Sequence, residues 1–60
     1  MAGKYPGKIV KQTARVTVTV QGNLYTVYLD NTLKVQSSVP ETAIRAADFF
    51  DKEPDGYFKP

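Results

Sequence analysis

The sixty residues contain no cysteine, no histidine and no tryptophan. Without cysteine there is no disulfide staple and no thiolate nucleophile. Without histidine as well there is no Ser-His or Cys-His catalysis and no Cys/His zinc site. Long apolar runs are also missing. The longest, Val27-Tyr28-Leu29, falls far short of the ~20 residues that cross a bilayer, and Met1-Ala2-Gly3-Lys4 opens no signal-peptide core. The expected location is therefore cytoplasmic. The four glycines are scattered, so no phosphate-cradling loop is formed. No cofactor is expected, and an enzyme is not expected, because a chain this short scarcely encloses a cleft for paired-carboxylate chemistry.

What is present is globular: 42% hydrophobic, 23% charged, net charge +2. Such a length allows one domain, residues 1–60, burying only about 60% of the surface its unfolded chain exposes. The charge is uneven. Residues 1–34 carry five cations against Asp30, whereas residues 35–60 carry three cations against five acids.

Between residues 10 and 20, Val10, Ala14, Val16, Val18 and Val20 alternate with Lys11, Thr13, Arg15, Thr17 and Thr19. Period two with β-branched residues predicts a strand. Gly22 and Asn23 predict a two-residue hairpin loop that sets Val20 opposite Tyr25, Val18 opposite Val27 and Val16 opposite Leu29, gathering the apolar groups on one face. A three-residue loop at Asp30-Asn31-Thr32, with Asn31 left-handed, then sets Leu33 opposite Leu29 and Val35 opposite Val27. In this register residues 8–14 overhang the hairpin without a partner.

Ser38-Val39-Pro40-Glu41 reads as a capping box with Ser38 as the cap, and Val39, Ala43, Ala47 and Phe50, flanked by Ile44 and Ala46, form the apolar stripe of a helix. Pro54-Asp55-Gly56 ends the helix by Lys52 or Glu53. The expected fold class is α+β: a three-stranded antiparallel meander of order 1-2-3 with one C-terminal helix on one face, βββα. Residues 1–7 are expected as a flexible arm and residues 54–60 as a tail whose Tyr57 and Phe58 pack back.

The face away from the helix would carry Thr17, Tyr28 and Lys34 side by side, with Arg15 beside them and Thr19, Thr26 and Gln36 one step along. Lysine, arginine, threonine and a tyrosine interleaved in this way suit nucleic acid, with Lys8, Lys11, Arg15 and Lys34 on phosphates, Thr17 beside them and Tyr28 stacking. Threonine and tyrosine are also ordinary strand residues on a solvated face. In arrangement, a three-stranded sheet with its free face outward and one helix behind resembles the integrase arm-type DNA-binding domains, which implies a sheet laid in the major groove. That likeness is of topology and fixes no residue.

Two further uses are open. A protein-binding accessory factor or inhibitor, of the kind small phage or mobile-element genes encode, would use the overhang at Thr13, the acidic helix end at Asp48 and Asp51, or Tyr57 and Phe58. A homo-oligomer would pair free strand edges. Asp51-Lys52-Glu53-Pro54-Asp55-Gly56 has the start of a calcium loop, but its bidentate ligand would lie past residue 60, and a turn with Pro54 at its second position accounts for the same residues, so no metal is expected.

Overall fold

The computed structural model describes residues 5–59. It is α+β, as expected, with an antiparallel sheet and one C-terminal helix. The sheet has four strands rather than three: β1 (Lys8–Gln12), β2 (Val16–Gln21), β3 (Leu24–Leu29) and β4 (Thr32–Ser37), in the order β1-β2-β3-β4, followed by α1 (Pro40–Lys52).

The central hairpin follows from its sequence. Gly22 takes φ +63°, and Val16 pairs with Leu29, Val18 with Val27 and Val20 with Tyr25. Glycine reaches that left-handed conformation without a Cβ penalty, and the pairing puts all the valines on one side. There α1 lies across β2, β3 and β4. Ala43, Ala46, Ala47 and Phe50 seal Val16, Val18, Val27 and Leu29 into the core. The i, i+3, i+4, i+7 spacing turns one helix face to the sheet, and three alanines let the axis come close. Val39 and Ile44, expected in or beside this stripe, lie 49% and 38% exposed instead.

The extra strand corrects the run read from residue 10 to residue 20. It breaks at residues 13–15, where the Thr13 amide donates to the Val16 carbonyl at 2.8 Å and the Val16 amide donates to Thr13 Oγ1 at 3.1 Å. Neither glycine nor proline marks that turn. A threonine hydroxyl standing in for a backbone acceptor makes it. Residues 8–12 thereby fold back on β2 and satisfy backbone groups that an overhang would leave unpaired. The overhang proposed at Thr13 does not exist, and the likeness to a three-stranded DNA-binding sheet loses its strand count.

The second turn also differs. Asp30 (φ +50°) and Asn31 (φ +69°) are both left-handed, the signature of a two-residue type I′ turn, and Thr32 rather than Leu33 pairs with Leu29. Leu33 then stands opposite Tyr28, and a bulge at Lys34 returns Val35 to Val27. A matching bulge in β1 leaves Val10 unpaired between Ile9, opposite Thr19, and Lys11, opposite Val18.

The helix begins one residue later than a Ser38 cap would give. Val39 is the N-cap at φ −102°, ψ 113°, with no side-chain cap, and its amide donates to Ser37 Oγ at 3.0 Å. The cause is Pro40, whose ring excludes the preceding residue from helical geometry. The other end is as expected: α1 stops at Lys52, and the Gly56 amide donates to the Glu53 carbonyl at 2.9 Å, closing a turn with Pro54 at its second position.

Candidate interaction face

The valines and the helix occupy one side of the sheet. On the other, the cross-strand ladder reads Gln12, Thr17, Tyr28 and Leu33 at one level and Ile9, Thr19, Thr26 and Gln36 at the next. Thr17, Thr19 and Thr26 are buried even though no helix covers them. Glutamines from the two outer strands reach inward over two of these hydroxyls: Gln12 Nε2 donates to Thr17 Oγ1 and Gln36 Nε2 to Thr26 Oγ1, both at 3.3 Å. Long side chains on edge strands thus roof short ones on central strands, with their polar groups paired.

The N-terminal segment adds to this roof. Gly7 (φ +78°) backs onto Val20, where a Cβ would stand 2.3 Å from the carbonyl oxygen. Two residues earlier, the Tyr5 ring lies against Tyr28 with centroids 4.5 Å apart, and its hydroxyl donates to Asn31 Oδ1. Residues 5–7 therefore run across the helix-free face from the Asn31 end toward the Val20 end. Residues 1–4 of the expected arm lie outside the described residues. Beside Tyr5 a cleft of about 350 Å³ opens, lined among others by Ile9, Gln12, Arg15, Thr17 and Asp30.

The predicted nucleic-acid set is split between the two sides. Arg15, Thr17 and Tyr28 share the helix-free side, although Thr17 is buried under Gln12 and Tyr28 lies under Tyr5. Lys8 and Lys11 stand opposite Val20 and Val18, on the valine side, and Lys11 Nζ pairs with Asp48 Oδ1 of the helix at 3.6 Å. Lys34, expected beside Thr17 and Tyr28, is the bulged residue, and its ammonium sits 5.9 Å from the centre of the Phe50 ring. The bulge at Val10 shifts the parity of β1 and carries Lys11 to the helix side, whereas Lys34 takes that side because the two-residue turn puts Leu33 on the open face.

The residues considered for a protein partner are also occupied in large part within the chain. Thr13 Oγ1 donates to Asp51 Oδ1 at 3.0 Å, Asp48 holds Lys11, and Phe58 packs on Phe49 and Phe50 at centroid distances of 5.6 and 6.3 Å. Tyr57 alone of this group is free, at 85% exposure. Both outer strands carry a bulge and a lysine, the two devices that discourage another strand from adding to an edge.

In place of the cations, the helix-free face presents Ile9 at 41%, Leu24 at 40% and Leu33 at 49% exposure, around the tyrosine pair. Along β1 to β4 no charged side chain falls on that side; Arg15 and Asp30 stand at its end. Sequence reasoning missed Leu33 because it chose the longer turn. The pair Asp30-Asn31, both tolerant of left-handed geometry, was the available signal. Ile9 and Leu24 carried none, since their facing depends on a bulge and on the tertiary position of the helix. No helix among the described residues is long and apolar enough to cross a membrane, and no three metal-ligating side chains gather there. Comparison with known protein families, with curated proteins and with solved structures finds no match to this chain.

Proposed function

We propose that this chain is a non-catalytic protein-binding module whose contact surface is the helix-free face of the sheet. The observation that carries this reading is the pattern of that face: Ile9, Leu24 and Leu33 exposed around Tyr5 and Tyr28, with no lysine among them. Aliphatic and aromatic side chains held on rigid strands supply contact area at small entropic cost. Two hydroxyls of the threonine layer beneath, those of Thr17 and Thr26, are already hydrogen-bonded, so covering them strands no polar group. A nucleic-acid surface needs clustered cations for phosphates, and here Lys8, Lys11 and Lys34 turn away from Arg15.

Selection of random displayed peptides on the immobilised protein tests this. Apolar peptides are expected to bind, to be lost with I9K or L33K, and to be kept with K59E. Binders indifferent to I9K and L33K overturn the reading. So does retention on duplex DNA at low salt that falls with salt at a log-log slope of about −0.9 per phosphate contacted.

A further inference from the structure

We infer that the occupant of this face is a second copy of the chain, stacked sheet to sheet about a two-fold axis running along the strands between β2 and β3. The inference rests on the protein-binding reading above and names the partner. Its starting point is Arg15 and Asp30. They extend the β2–β3 pairing one step past Val16 and Leu29, with the Asp30 amide donating to the Arg15 carbonyl at 2.9 Å. Both line the cleft on the helix-free side, next to the sheet's midline. Among the described residues the ion pairs are Lys11 with Asp48 and Arg45 with Glu41, so neither Arg15 nor Asp30 is paired.

A two-fold axis in that position reverses the strand order of one sheet over the other. β2 comes to lie over β3 of the second copy, which brings Arg15 over its Asp30 and Asp30 over its Arg15. The layer that roofs the central strands, Tyr5, Gln12 and Gln36, meets the same layer of the second copy, and β1 with Ile9 meets the strand that bears Leu33. A self-complementary contact requires each patch to carry both members of every pair, and adjacent opposite charges on the midline meet that requirement. Along β1 to β4 the face is otherwise uncharged, so the strands place no like charges in the contact.

Size sets the strength. Four strands about 4.8 Å apart and five or six residues long at about 3.4 Å each present roughly 400 Å² per copy. The total of roughly 800 Å² is below the ≈ 1,200–2,000 Å² of a standard stable interface, so the dimer is reversible and forms at high concentration.

Sedimentation equilibrium from about 10 µM to about 1 mM reads this directly. The mass is expected to rise from 6.7 kDa toward twice that value. R15D alone and D30R alone are each expected to weaken association at least about tenfold, because like charges then face each other, and an equimolar mixture of the two should restore it. Asp30 sits in a left-handed turn, so each variant is first checked for its far-ultraviolet dichroism and urea midpoint. L33K, outside both turns, is a second probe and should also hold the protein monomeric. A wild-type mass fixed at 6.7 kDa throughout, or folded variants whose mixture stays monomeric, overturns the second-copy inference. If peptides still bind in a Leu33-dependent way, the docking face survives that result. If they do not, the parent reading falls as well.

Discussion

Tyr5 lies on Tyr28 across the helix-free face, with ring centroids 4.5 Å apart and planes inclined by 41°. Aromatic pairs in tilted contact contribute about 0.5–1.5 kcal/mol beyond the area they bury. A double-mutant cycle of Y5A and Y28A, read by urea denaturation, should give a coupling in that range. Additive losses would mean the two rings do not support each other. Y5F should keep most of the coupling and lose only the hydroxyl bond to Asn31.

Gly7 and Gly22 both have positive φ, but their surroundings differ. A Cβ on Gly22 meets nothing within 4 Å, whereas one on Gly7 would stand 2.3 Å from the Val20 carbonyl oxygen. G22A should therefore cost only the left-handed penalty of about 1–2 kcal/mol. G7A adds a backbone collision and should cost more than G22A, or else release residues 5–7 from the sheet. Urea midpoints of the two variants, together with the Tyr5 ring resonances, check both outcomes.

The tail divides between its two aromatics. Phe58 packs on Phe49 and Phe50, while Tyr57 is 85% exposed. Phe58 is partly buried, so F58A should destabilise the fold by about 1–2 kcal/mol, a large share of the stability of so small a domain. Y57A should stay within about 0.5 kcal/mol of the parent. Equal effects would contradict the packing of the tail.

β1 and the turn that follows it reach the helix through polar groups: Lys11 to Asp48, and Thr13 to Asp51. The Lys11 and Asp48 side chains are 35% and 62% exposed, so water screens the pair. A K11A and D48A cycle should yield a coupling of no more than about 1 kcal/mol, shrinking as salt is added. A coupling of several kcal/mol would mean that this pair anchors the helix to β1.

The parts of the fold that the residues announce are those where a short pattern meets a short turn. Val16, Val18 and Val20 against Tyr25 and Val27, around Gly22, left one two-residue-loop register that gathers the apolar groups on one face, and the sheet adopts it. The helix was legible for the same reason, with alanines at helical spacing and Pro54 to stop it. The break at residues 13–15 was not legible, because it is made by the Thr13 hydroxyl within an otherwise strand-like run. Nor was the cap, where the constraint from Pro40 outweighed the serine signature.

The sequence by itself determined the centre of the core, Val16, Val18, Val27 and Leu29 against Ala43, Ala47 and Phe50, with the central hairpin that aligns them and the helix that covers them, since each depends on periodicity and on one or two turn residues. The tertiary structure alone decided which side of the sheet Lys11 and Val35 take, whereas Leu33 and Lys34 follow from the two-residue turn at Asp30-Asn31. One unpaired residue reverses the facing of everything after it, and the positions of Val10 and Lys34 as bulges are set by strand pairing and helix packing over long range, not by their neighbours in the chain.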